Sequence, residues 1–308
     1  MKPEPLGAAA AALALFVSLL WGGNVAAIKF GYDTFPPIWS AFWRFLSAGM
    51  AVALWAKWRG VRLWPEPGEW RGLGLLAAMF TAQIVCLNTA TAWTSAAYAV
   101  VLLNSHPLFT NLFGQWFALE EKITVQRAVG LTVAFSGICW LALGRPAAEL
   151  APYPHWGNFL TLVSASLLAT RVLYTRGLVQ KTHPLRTVTW QITLAVPAFL
   201  LIAAATEPMT LREVTWPPVA AILYQGPVIA GFCFIVWTTL LQRHSASTLS
   251  MFGFTVPIFG VLLSAWLFGE EIGSRLVSGA VLVTIGIIIV TRRAKRQPKH
   301  TEERQAAA

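Results

Sequence analysis

Apolar runs about 20 residues long recur along this chain, and that length carries an α-helix across the hydrocarbon of a bilayer. Ten such runs can be drawn, at approximately 8–29, 37–57, 71–91, 96–119, 125–143, 157–176, 187–205, 217–241, 246–268 and 275–291. Proline marks most of the gaps: Pro36-Pro37, Pro65, Pro67, Pro146, Pro152, Pro154, Pro184, Pro208 and Pro217-Pro218. Backbone groups in lipid must be satisfied within the segment, so these runs predict helices. Charged residues make up 12% of the chain and the mean hydropathy is +0.60. A soluble domain carries about 25% charge, so water-soluble classes are excluded. The first run, from Ala8 to Ile28, exceeds the usual core of a signal peptide and is followed by further spans. It is expected to remain as the first span.

The chain also repeats itself. Shifted by 150 residues, the stretch from Ser95 to Thr124 lies over Ser245 to Ser274 without a gap. Pro107 meets Pro257, Phe109 meets Phe259, Trp116 meets Trp266, and Glu120-Glu121 meets Glu270-Glu271. Ser18-Leu19-Leu20 lies over Ser166-Leu167-Leu168 at an offset of 148. Two homologous halves are therefore expected. They comprise residues 8–143 and 157–291, joined by 144–156 and followed by a basic tail, 292–308. Five spans per half is an odd number, so the second half must enter the membrane from the opposite side. Inverted repeats of this kind are typical of secondary transporters, in which one bundle rocks against another about a midplane site.

The formal charge of +10 follows the same topology. With the N-terminus cytoplasmic, 17 of the 23 Lys and Arg residues fall in cytoplasmic segments and 4 on the other side, while Arg44 and Arg171 lie within spans. This asymmetry predicts that both termini are cytoplasmic. It also explains the basicity without a nucleic acid partner, since the basic residues sit in short loops and the tail. Cys86, Cys139 and Cys233 fall in separate apolar runs and show no metal-binding or disulfide spacing.

Several motifs carry a family resemblance. Leu20-Trp21-Gly22-Gly23-Asn24 in the first span is similar to the "WGxN" opening of the drug/metabolite transporter superfamily, EamA type. Arg44-Phe45 follows Pro36-Pro37 as in that family's second span. His106-Pro107-Leu108-Phe109 and Val256-Pro257-Ile258-Phe259, each followed by a Glu pair, resemble its proline block. The second half departs from the pattern, because Ala169-Thr170-Arg171 lacks the Trp-Gly pair. The resemblance implies an all-α membrane protein of ten transmembrane helices, arranged as two inverted five-helix EamA repeats. It also implies transport of small metabolites, often amino acids and frequently outward.

Polar residues within the spans are the candidate substrate site, because such groups are costly in hydrocarbon unless they face a cavity or another helix. If the fourth span is one helix, Asn104, Asn111 and Gln115 fall within about 40° of one another and form a stripe. The equivalent residues of the ninth span, Phe254, Val261 and Ala265, are apolar. Pro107 removes a backbone donor and frees a carbonyl near Leu103, and Pro257 is placed identically, so both predict helix kinks. Arg44 shares a face with Ser40 and Ser47, and Arg171 lies near Ser164 and Thr175 with Tyr174 adjacent. Arg44 is near enough to Pro37 to snorkel outward. Trp21 is placed to stack on a flat substrate, with Asn24 one turn on. Trp39, Trp43, Trp55, Trp58, Trp64, Trp70, Trp156 and Trp216 near span ends read as interface anchors. Thr124 and Ser274 are expected N-caps after the Glu pairs.

No span carries an acid, so neither a carboxylate proton relay nor an anionic cage for sodium is present in the sequence. His106 is the one mid-span group with an ordinary pKa near neutrality; it is either a proton carrier or, the preferred reading, a neutral histidine held by Asn or Ser neighbours. No H-E-x-x-H, G-x-S-x-G or P-loop occurs, so no enzyme, cofactor or metal is expected. The expected function is secondary transport of a small metabolite, with amino acids favoured and export preferred. The expected partners are the lipid bilayer, the substrate and protons, and the expected state is a monomer or weak dimer in the cytoplasmic membrane. The alternatives are an uncoupled facilitator or channel, and a membrane-embedded enzyme.

Overall fold

The computed structural model describes residues 6–32, 34–116, 125–144, 151–209, 215–244 and 252–291. Apolar residues without a polar face produce long helices there, with no strand among the described residues. The first half comprises α1 (Ala8–Gly31), α2 (Pro37–Trp58), α3 (Trp70–Trp93), α4 (Ala96–Leu103), α5 (His106–Trp116) and α6 (Val125–Ala142). The second comprises α7 (Pro154–Leu178), α8 (Pro184–Thr206), α9 (Trp216–Leu223), a π-helical segment (Tyr224–Cys233), α10 (Phe234–Arg243), α11 (Thr255–Phe268) and α12 (Ser274–Thr291). A 3₁₀ turn, Phe252–Phe254, precedes α11. Five stretches are long and apolar enough to cross a membrane: α1, α2, α3, α8 and Trp216–Leu240. Among the described residues the protein is all-helical, with the apolar helices of an integral membrane protein.

The principal helix pairs correspond when the halves are exchanged. The pairs α2 with α8, α4 with α11 and α6 with α12 each map onto themselves. The contact of α3 with α7 corresponds to that of α1 with α9 and the π segment. Likewise α1 with α11 corresponds to α4 and α5 with α7, and α3 with α8 to α2 with the π segment. Lipid tails are as apolar as leucine, so such pairs depend on close fit rather than on hydrophobic expulsion. Gly137 on α6 shows how close. A Cβ there would lie 2.8 Å from Leu282 Cβ and 2.9 Å from the Val283 nitrogen on α12.

Helix starts are closed by acids from the other half. Pro37 opens α2 and has no N–H to satisfy. The next two donors, the Ile38 and Trp39 N–H groups, donate to the Glu207 carboxylate beyond α8 at 2.9 to 3.2 Å. Burial pushes the Glu207 carboxyl up, against the lowering effect of the Trp39 and Ile38 N–H groups. At α4, the Ala96 and Ala97 N–H groups donate to Glu270 at 3.0 Å each, and the Tyr98 N–H donates to Ser95 Oγ at 3.3 Å. Glu270 lies beyond α11 and is 8% exposed. These contacts satisfy first-turn donors that a helix leaves open.

At the opposite ends of the helices, Arg186 on α8 donates to Glu69 at 2.8 Å, and the two side chains are 11% and 12% exposed. Trp190 Nε1 donates to the Leu63 carbonyl at 2.7 Å beneath a cluster of Trp64, Trp70 and Trp190. Burial raises the Glu69 carboxyl, but the Glu66 N–H and Arg186 outweigh it and hold the group below its ordinary 4.5.

Three expectations need correction. The fourth span is not one kinked helix: it breaks at Asn104 and Ser105, and Pro107 sits at the second position of α5. Ser274 is the first residue of α12 rather than its cap; the Val277 N–H donates to the Gly273 carbonyl instead. Trp39 is 7% exposed and gives its Nε1 to the Glu207 carbonyl, so it belongs to the core, whereas Trp58, Trp64, Trp156 and Trp216 are exposed. Glu120, Glu121, Thr124 and the tail lie outside the described residues.

Replacing Glu270 with Ala strips the acceptor from two buried N–H groups. It should lower the melting midpoint of the purified protein, at a cost of about 1–2 kcal/mol. Because the Glu69 carboxyl titrates below its ordinary value, its contribution to stability is complete above that value and lost as the pH falls through the lowered one. Melting curves of wild type should therefore show an acid-side decrease that Glu69→Gln diminishes.

Candidate functional site

The break between α4 and α5 follows from side chains that compete with the backbone. Asn104 Nδ2 donates to the Val100 carbonyl at 2.7 Å, and Ser105 Oγ donates to the Leu102 carbonyl at 2.6 Å. Pro107 supplies no N–H to the turn before it. His106 then starts α5, and its carbonyl accepts from Thr110 Oγ1 at 3.0 Å. Its Nδ1 is buried without a hydrogen-bond partner among the described residues. Arg171 on α7 lies within electrostatic reach of the His106 ring, across the packed pair of α5 and α7.

The two mid-helix arginines turn inward. Arg44 is 3% exposed and does not snorkel. Its Nη1 donates to Gln225 Oε1 on the π-helical segment at 3.3 Å, and Gln225 Nε2 donates onward to the Ala27 carbonyl at 2.8 Å. Arg171 Nη1 donates to Gln191 Oε1 on α8 at 3.5 Å. The Nε of each arginine lacks a hydrogen-bond acceptor among the described residues. The Arg44 guanidinium lies 4.3 Å above the Phe45 ring and that of Arg171 5.1 Å from the Phe80 ring. Those two rings touch edge to face at 4.8 Å, and Phe199 stacks on Phe45 at 5.3 Å. One aromatic cluster thus carries both cations, each over a ring, with Nη1 on a glutamine and Nε unpartnered among the described residues.

The other expected residues divide between this centre and its surroundings. Asn24 on α1 has a buried Oδ1 without a partner among the described residues. Gln83 Oε1 is in the same condition, although Gln83 Nε2 donates to Ser164 Oγ at 3.1 Å. Trp21 packs against Trp237 at 4.9 Å and Phe234 at 6.5 Å, so an aromatic cluster already occupies it. Tyr174 donates to the Gly72 carbonyl at 3.3 Å and ties α7 to α3. The stripe of Asn104, Asn111 and Gln115 presumed a continuous helix. The break separates Asn104 from the other two, whose side chains lie outside the described residues. Pro257 lies in the first turn of α11 after the 3₁₀ turn, matching Pro107. A separate apolar pocket of about 260 Å³ lies between α1, α9 and α11, lined by Gly23, Ala27, Tyr224 and Leu263 among others.

The reading of the sequence missed Gln191 and Gln225, which hold the arginines. Their signal was visible, since a glutamine within an apolar span needs a partner as much as an arginine does.

The family model of the EamA-like transporter family matches residues 8–143 and again 155–292. The chain belongs to this family. It is a transporter, not an enzyme. An uncharacterized transporter of Archaeoglobus fulgidus is 24% identical over 281 residues, covering 89% of this chain and 94% of its own. A protein of Escherichia coli named "Probable amino-acid metabolite efflux pump" is 25% identical over 285 residues, covering 90% and 93%. A Salmonella typhimurium protein of the same name is 24% identical with the same coverage. A solved crystal structure superposes with a TM-score of 0.68 at 18% identity, covering 92% of this chain and 96% of that one, a likeness of fold.

Replacing Gln225 with Leu should leave the Arg44 guanidinium without its acceptor. The expected loss is about 1–3 kcal/mol, read as a lower melting midpoint. Gln225→Glu, which keeps an acceptor, should lose less.

Proposed function

We propose that the chain is a secondary transporter that exports an amino acid or related small metabolite across the cytoplasmic membrane by alternating access. The observation that supports this most is the packing pattern. The principal helix pairs correspond on exchange of the halves, and Arg44 and Arg171, each with an unpartnered Nε among the described residues, lie over two touching rings of one aromatic cluster. In this reading α4 and α5 form one broken span, and α9, the π segment and α10 form another. The chain then has ten spans in two inverted five-helix repeats, with both termini cytoplasmic by the charge asymmetry. The break before Pro107 and the 3₁₀ turn before Pro257 leave irregular backbone, which a bilayer tolerates where it lines a cavity or is buried in protein. Trp21, Asn24, Arg44, Asn104, His106, Asn111, Gln115, Arg171 and Tyr174 are the substrate-binding set, with Arg44, Arg171, His106 and Asn24 closest to the chemistry. The printed names of the Escherichia coli and Salmonella relatives support amino-acid metabolites and efflux.

A facilitator without ion coupling is the second reading, favoured by the absence of Asp and Glu from every described helix. His106 is then a neutral lining group.

Counterflow in proteoliposomes tests both. Vesicles loaded in turn with amino acids and other metabolites should show saturable exchange for one class. If a pH gradient drives accumulation and His106→Ala abolishes only that, the histidine couples protons. Exchange that ignores pH and survives the substitution identifies the facilitator. Absence of exchange for every compound rejects the transporter mechanism proposed here.

A further inference from the structure

We infer that the substrate is recognised through a carboxylate and carries a net negative charge, with Arg171 and Arg44 as its docking guanidiniums and His106 as an added donor beside Arg171. The inference rests on the transporter reading above and narrows it from amino-acid-like compounds in general to organic anions.

Both guanidiniums sit among helices, where an uncompensated cation is costly. Their hydrogen-bond acceptors are neutral amides, Gln225 at 3.3 Å and Gln191 at 3.5 Å. None of the described helices contains an Asp or Glu. The buried acids at the helix ends are engaged elsewhere: Glu207 accepts from the start of α2 and Glu270 from the start of α4. The protein therefore supplies two inward cations and no described counter-charge between them.

Geometry specifies the anion further. The Phe45 and Phe80 rings lie against the guanidiniums at 4.3 and 5.1 Å. A guanidinium over a ring still has in-plane N–H donors, whose fork matches the two oxygens of a carboxylate. The Nε of each arginine is a donor on that edge and is unpartnered. His106 Nδ1 is a third buried nitrogen without a partner, within electrostatic reach of Arg171. An ammonium group beside either guanidinium would be repelled and would find no acid on the described helices. The free acceptors, Asn24 Oδ1 and Gln83 Oε1, suit a neutral N–H. An acylated amine or a plain carboxylic acid fits this set better than a zwitterion.

Four compounds with one carbon skeleton test the charge: leucine, N-acetylleucine, leucinamide and 4-methylpentanoate. Counterflow would be measured with the full-length protein in proteoliposomes. N-acetylleucine and 4-methylpentanoate should exchange at least about tenfold faster than leucinamide, because a cation beside two guanidiniums is repelled. Arg171→Gln should lower anion exchange about tenfold or more, and Arg171→Lys, which keeps the charge but not the planar fork, should restore part of it. Arg44→Gln provides the same readout should Arg171→Gln fail to fold, as judged by its melting curve. Exchange of leucine or leucinamide at or above the rate of the anions overturns the inference while the transporter reading stands. So does exchange confined to uncharged compounds of the wider panel, or an anion preference unchanged in the folded glutamine variants. If no compound of either panel exchanges, the transporter mechanism fails and this inference fails with it.

Discussion

A polar group removed from water must find a partner inside the protein, and in this chain that requirement ties the two halves together. Arg44 belongs to α2, and its acceptor, Gln225, belongs to the π-helical segment of the other half. Gln225 in turn donates to the Ala27 carbonyl of α1. A single amide thus satisfies a buried cation and a backbone carbonyl on two different helices. The aromatic cluster extends the link, because Phe45, Phe80 and Phe199 come from α2, α3 and α8.

The same demand governs the helix ends. The starts of α2 and α4 are closed by Glu207 and Glu270, which lie beyond α8 and α11. An acid near a helix N-terminus satisfies open donors and complements the helix dipole at once. Because each acid comes from the opposite half, neither cap can persist if the halves separate at that end. At the other end, Arg186 with Glu69 and Trp190 with the Leu63 carbonyl join the halves again. Movement of one half against the other would break bonds at one end or the other.

Much of the fold was legible because apolar length and proline placement are local properties. The expected spans at 37–57, 71–91 and 187–205 correspond to α2, α3 and α8, and each duplicated proline block lies in the first turn of a helix. The candidate site was legible in part. Arg44, Arg171, His106 and Asn24 stood out as polar residues in apolar surroundings, and each has a buried atom lacking a partner among the described residues. The stripe of Asn104, Asn111 and Gln115 was misjudged because periodicity extrapolates a helix that Asn104 and Ser105 interrupt with their own hydrogen bonds.

The sequence by itself determined a helical membrane protein with duplicated halves and two arginines lacking any acid within their spans. Those properties follow from composition and from spacing along one segment. Tertiary structure decided which residues hold the arginines, that Arg44 points inward rather than to the interface, and that Glu207 and Glu270 close helices of the other half. Gln225 lies 181 residues from Arg44, and Glu270 lies 174 from Ala96. No local pattern encodes pairings over such separations; they arise only when the helices pack and every buried donor seeks an acceptor.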